Sequence, residues 1–307
     1  EKAGKLLAGS YFFRENAGNF PARSNCMATR IFYLYRYQLL PIDVQPTLLY
    51  DLKDLISKKN QYFHQAVMSL KESWKDPAKK RYSYDIYRHT EKSIMLIASR
   101  QKNVKLIRED HTERDVDSFP FGYVIIDNDK EHQIIAIQES TELRAKTILK
   151  KIEKALQHFL AKRYLIIKIS PIYKEDNFWD FVSKHEEKIT SLSFDLITPN
   201  MSNISSRLSE DLKKTAKATG TVETNLKFNA ASKGTLKLSQ DNHELDGLVN
   251  YAAQGGGGIF VKVKGARLGF DSNDFQLTLE VEDSQIKDTL ENIITLMRNK
   301  ANDGSNR

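Results

Sequence analysis

Residues 145–160 constrain the fold most. Ala145, Ile148, Leu149, Ile152, Leu156, Phe159 and Leu160 recur at steps of three and four, which is the spacing of one apolar helix face. The opposite side carries Lys146, Lys150 and Lys154 in one i, i+4 row, with Lys151 beside it. A helix so divided must lie on a surface, with one face against a core and the other turned away from it. Residues 141–170 hold eight Lys/Arg against two acids (Glu142 and Glu153), a net +6 in a chain whose total is +7. Like charges in a row repel unless an anion screens them, so the face reads either as a solvated surface or as the footprint of a polyanion such as nucleic acid.

The charge is unevenly spread. Residues 52–102 are net +7 and residues 201–240 net +4, whereas residues 241–307 are net −4. No apolar run reaches the roughly 18 residues that a helical membrane span needs. The longest candidate, Ile31 to Leu40, is interrupted by Arg36 and reads as a buried strand. A single cysteine, Cys26, excludes an internal disulfide framework and a cysteine-rich zinc site, and points to a reducing, cytoplasmic compartment.

Met27-Ala28-Thr29-Arg30 reads as a translation start, which makes residues 1–26 a leader or extension. Strands are expected at 30–40, 93–98, 103–109, 121–126, 132–137, 164–169 and 189–197, with helices at 47–58 and 141–162. Asp127 to Glu131 reads as a hairpin link. Pro199 and the polar stretch after it mark a boundary. It separates a basic α+β domain at 27–198 from a smaller α+β domain at 199–307. In the second, helices are expected over 204–216 and 242–253. Strands are expected at 222–228, 235–238, 259–264, 267–270 and 275–281, and a final helix is capped by Asp283/Ser284. This irregular alternation predicts an α+β fold with mixed, largely antiparallel sheets and packed helices, not a doubly wound parallel sheet.

Catalytic motifs are sparse. The run Gly255 to Gly258 follows a helix and precedes a strand, the reverse of a phosphate-cradling loop, and reads as a flexible helix stop that could let Lys262 and Lys264 approach a ligand. None of the seven histidines pairs at i, i+4 for zinc, and His185-Glu186-Glu187 beside Asp180 reads as a solvated turn. A metal-dependent nuclease would want an Asp followed by an acid and a Lys on the next strand. Asp127 and Glu139 bracket the 121–139 hairpin in that manner, but no Lys follows Glu139 in place. No catalytic residue, metal ligand or cofactor is therefore assigned. Tyr82, Tyr84 and Tyr87 lie among Lys79, Lys80, Arg81 and Arg88, a mixture that suits base stacking or a strand with its tyrosines in the core. The DNA-binding candidates are Arg144, Lys146, Lys150, Lys151, Lys154, Lys162, Arg163, Lys213, Lys214, Lys217, Lys262, Lys264 and Arg267.

Across residues 118–255 the order of elements resembles the RexA family of phage-exclusion proteins. Ser118-Phe119-Pro120 precedes a hairpin with an acidic turn. An amphipathic helix follows, then a strand ending Ile166-Ile167-Lys168-Ile169-Ser170-Pro171. A Lys-rich helix at Arg207–Ala218 leads into the pair Leu226–Phe228 and Thr235–Leu238, and the next helix starts near Leu245. The resemblance implies a cytoplasmic, homodimeric, sequence-nonspecific binder of double-stranded DNA in anti-phage defence, non-catalytic, that signals to a membrane effector encoded nearby. A metal-dependent nuclease with a degenerate site is the alternative. For the dimer, the final helix offers the stripe Ile286, Leu290, Ile293, Ile294 and Met297, which equally suits packing on its own sheet.

Overall fold

The computed structural model describes residues 29–42, 52–70, 82–197, 214–215, 218–267 and 269–303. Within them the chain is α+β, with six α-helices and thirteen strands. The strand pairings are antiparallel.

The long strand β1 (Thr29–Pro41) organises the first sheet, which has seven strands. On one edge it pairs with β7 (Ile134–Gln138), followed outward by β6 (Phe121–Asp127), β3 (Ser93–Arg100) and β2 (Tyr82–His89). The opposite edge of β1 is shared. Residues 29–33 pair with β13 (Thr278–Glu282) and residues 35–41 with β8 (Leu165–Pro171). Both faces of this sheet are covered, so its inner strands are apolar on both sides. Ile135 and Ile137 of β7 join one core with Val124, Ile126, Ile94 and Leu96. Ile134 and Ala136 join the other with Ile125, Met95, Phe32 and Leu34. That is the period-two alternation of a strand sandwiched between two layers.

Helices α1 (Leu52–Met68) and α2 (Ala145–Ala161) cover the first face, inserting Phe63, Val67, Ile148, Ile152, Leu156 and Leu160. The opposite face is covered by α5 (Asp283–Lys287) and α6 (Leu290–Asp303), through Ile286, Leu290, Ile293, Ile294 and Met297. The stripe that suited a dimer contact is thus buried in the chain's own core.

A second sheet runs β10 (Glu223–Asn229), β9 (Ile189–Ile197), β11 (Gly257–Val263) and β12 (Phe270–Asp271). Helices α3 (Glu175–Lys184) and α4 (His243–Tyr251) pack on one side of it around Phe178, Trp179, Phe194 and Tyr251. A two-stranded ribbon, β4 (Lys102–Ile107) and β5 (Glu113–Ser118), stands apart. Residue 199 lies outside the described residues. Pairing nevertheless runs across it in both sheets, since β9 before it joins β10 and β11, and β13 after it returns to β1.

Several elements differ from the sequence expectation. Helix α1 runs ten residues past 58, because Phe63, Ala66, Val67 and Leu70 continue its apolar stripe. Thr235–Leu238 is not a strand: Leu236 N–H donates to the Ile189 carbonyl, and Leu236 and Leu238 pack half-buried on the second core. The final helix is split into α5 and α6, and its cap is Glu282, in a capping box with Gln285. Residues 1–26, 47–51 and 204–213 lie outside the described residues.

The glycine run is not a flexible stop. After α4 the chain makes a wide π-type turn at Ala252–Gly256 and enters β11 at Gly257. Gly255 has φ +85°, and a Cβ there would lie 2.4 Å from the Cβ of Arg36. At Gly257, with φ +156°, a Cβ would lie 2.1 Å from the Asp195 carbonyl oxygen. Backbones pass too closely here for any side chain.

Candidate nucleic-acid interface

Helix α2 begins without a side-chain cap from its own N-cap residue, Arg144. Glu139, at the end of β7, substitutes. Its carboxylate accepts the Ala145 N–H at 2.6 Å and the Arg144 guanidinium at 2.9 Å. A carboxylate at a helix N-terminus also complements the helix dipole. At the other end Gln157 ties the helix to β8, donating to the Leu165 carbonyl at 3.2 Å and accepting the Ile167 N–H at 2.9 Å. Both ends are therefore fixed, and so is the direction of the basic face.

That face is as the periodicity predicts. Lys146, Lys150, Lys151 and Lys154 are exposed, while Ile148, Leu149, Ile152 and Leu156 are buried. Together with Arg144, these four lysines line a groove of about 840 Å³. Tyr33 and Tyr35 of β1 line it too, with Asn273 and Asp274 of the short 3-10 turn Ser272–Phe275 and the adjoining Gln276. Five cations face two carboxylates, Glu139 and Asp274, and Glu139 is engaged by Arg144. Among the described residues, Lys146, Lys150, Lys151 and Lys154 form no ion pair within 4 Å. Burial pushes the Tyr35 phenol up to about 12, so it remains a neutral hydrogen-bonding group beside Gln276.

The remaining candidates are dispersed. Lys162 and Arg163 follow the last turn of α2, about 12 Å along the axis beyond Lys154. Lys162 lies 6.0 Å from the Phe159 ring, and Arg163 lies 5.0 Å from the Tyr62 ring, linking α2 to α1. Lys262, Lys264 and Arg267 are exposed at the end of β11 and the turn after it, on the second sheet, and do not line the groove. Lys214 is exposed, while Lys213 and Lys217 lie outside the described residues. So do Lys79, Lys80 and Arg81. Of the three tyrosines near them, Tyr84 is a core residue at 2% exposure. Tyr82 lies half-buried with the Lys151 ammonium 5.6 Å from its ring, and Tyr87 packs on Tyr123 with the two rings tilted by 54°.

The acids considered for catalysis have structural partners. Asp127 is fully buried and accepts two bonds from Arg298, at 2.6 and 2.9 Å. Glu139 holds the start of α2. The His185 ring stacks on Phe181, with Nδ1 2.9 Å from the Phe181 carbonyl. Among the described residues no three His, Cys, Asp or Glu side chains are grouped to hold a metal ion, and no helix is long and apolar enough to cross a membrane.

Sequence reasoning missed the far wall of the groove. Tyr33 and Tyr35 were visible only as same-face residues of a strand, and nothing local linked them, or Asn273 and Gln276, to α2.

A family model described as a domain of unknown function, DUF4747, matches residues 52–298. The match spans most of the chain, and the chain belongs to this family. No curated protein matches it.

Proposed function

We propose that this DUF4747 protein is a sequence-nonspecific DNA-binding sensor or adaptor of an anti-phage defence system, and that the α2 groove is its DNA surface. The observation that carries the reading is the convergence of Arg144, Lys146, Lys150, Lys151 and Lys154 on one groove. A row of lysines that forms no ion pair within 4 Å among the described residues, on a helix fixed at both ends, is costly for the free protein and favourable once phosphates screen it. Lys146 to Lys154 spans about 12 Å of helix axis. Successive phosphates of one DNA strand are about 3.4 Å apart along the duplex axis, so the row faces three to four of them. The groove's lysines are long, point-charge side chains in a row along one helix, a lining that suits phosphates and favours binding through the backbone.

The wider reading follows the RexA resemblance: a cytoplasmic homodimer that binds DNA without cutting it and signals to a membrane effector made nearby. With the α6 stripe buried, a dimer contact must use another surface. A gel shift with random-sequence duplex, with and without magnesium, tests the DNA assignment, and sedimentation at micromolar concentration tests the dimer. Retarded but intact duplex is the expected result. Cleavage in magnesium would favour the nuclease alternative, and absence of any shift at low salt would remove the DNA assignment.

A further inference from the structure

A second cleft, of about 680 Å³, opens between the two sheets. It is lined by β8, by the outer faces of β9, β10 and β11, and by one residue of α2. Asn273 lines both this cleft and the basic groove. Helix α2 divides them residue by residue, giving Lys154 to the groove and Glu153 to the cleft. The cleft therefore adjoins the groove along one helix.

We propose that this cleft receives a single unpaired nucleobase of DNA whose backbone lies in the basic groove. The inference rests on the DNA-binding reading above and adds the form of DNA preferred. Charge makes the first distinction. The cleft holds three carboxylates, Glu153, Asp195 and Glu223, against one lysine, Lys168, whose ammonium is 2.7 Å from Glu223. Such a lining repels phosphate. It suits the amino edge of a base, because carboxylates accept from exocyclic N–H groups. The polar groups are also placed as a set. Asn225, Asp195 and Gly258 are cross-strand neighbours on β10, β9 and β11, and Asn225 Nδ2 donates to Asp195 Oδ1.

Space and an aromatic surface complete the fit. Gly258 puts no side chain into the row; a Cβ there would come within 3.3 Å of the Phe260 ring and 3.6 Å of Ser272 Oγ. Phe260, two residues along the same face of β11, is half-buried and lines the cleft, offering an apolar ring to a base. The volume falls within the roughly 300–1,000 Å³ typical of small-ligand pockets. Extruding a paired base costs a few kcal/mol, whereas an already unpaired one costs least, so a bulge or damaged site is preferred.

The test is fluorescence anisotropy at one fixed salt concentration, comparing a labelled, fully paired duplex with the same duplex carrying a one-nucleotide bulge. The native protein is expected to bind the bulged duplex about ten-fold or more tightly than the paired one, a difference within the cost of extruding a base. Asn225→Trp fills the exposed mouth of the cleft, and Asp195→Leu removes an acceptor; each should bring the two affinities to within about two-fold while paired duplex still binds. Equal affinities for the native protein, with paired duplex bound, would overturn the base site and leave the groove assignment standing. A preference that persists in both variants would also overturn it, since the bulge would then act only through DNA flexibility. Failure to bind either duplex would overturn both readings.

Discussion

Gly255 lies where the helix–strand crossing touches β1, and its positive φ and the 2.4 Å approach to Arg36 leave no room for a methyl group. A left-handed non-glycine residue costs about 1–3 kcal/mol, and overpacking adds a similar amount. Gly255→Ala should therefore destabilise the protein by about 3 kcal/mol, read as a lower urea midpoint with an unchanged slope. A variant within about 0.5 kcal/mol of native would mean that the crossing is loosely packed. Glu153 supplies a pH signature. Burial raises its carboxyl above the ordinary value of 4.5, outweighing the pull of Lys168, the Ile169 N–H and Lys150. The folded state then holds this proton more tightly than the unfolded state. Its contribution is complete below the ordinary value and is lost as pH rises through the folded value. Glu153→Gln should gain stability relative to native between about pH 4 and pH 7, measured as the difference in Tm at the two ends. A difference that shrinks with pH would contradict the assignment.

Elements were legible in proportion to the apolar face each carries itself. Helix α2 shows a full stripe, and β1, β3, β6, β7 and β9 show apolar runs or alternation, so their existence followed from the sequence. Helix α3 was missed, because its ten residues bury only Phe178, Trp179 and Val182 together with Glu175. In β5 (Glu-Arg-Asp-Val-Asp-Ser) just one apolar residue, Val116, is present, and its conformation comes from pairing with β4 rather than from its own pattern. Strand β2 carried the alternation Tyr82, Tyr84, Ile86, which favoured tyrosines packed in the core, but its basic neighbours left a stacking surface as the second reading. Helix α6 owes its position partly to charge. Arg298 grips Asp127, which is fully buried, with two bonds. Removing one partner of such a pair strands the other charge, so Arg298→Ala should cost about 3–5 kcal/mol, well above the effect of a surface arginine. Arg298→Lys should recover only part of this, having lost the planar fork. Denaturant melts of both variants check the order native, Lys, Ala.

At the scale of the whole molecule, neither the sheet partners nor the groove could be read from local pattern. Strand β13 joins β1 across 252 intervening positions in the Thr29–Glu282 pairing at its far end, and the far wall of the groove comes with it. Half of the candidate site, the lysine face of α2, was visible as an amphipathic helix. The other half, Tyr33, Tyr35, Asn273 and Gln276, exists only after β1 and the turn before β13 are brought together. The net −4 of residues 241–307 also acquires a different meaning in the fold. Its apolar stripe is spent inside the chain, and its Asp274 sits opposite the lysines rather than on a remote face. The central claim is that these lysines meet phosphates, and the salt dependence of DNA affinity tests it most directly. If the five groove cations each neutralise a phosphate, the slope of log K against log salt should be about −4.5 for the native protein. In a folded Lys146→Ala, Lys150→Ala, Lys154→Ala variant it should fall in magnitude by about 2.7. A folded triple variant with native affinity and native slope would contradict the assignment of the α2 groove as the DNA surface.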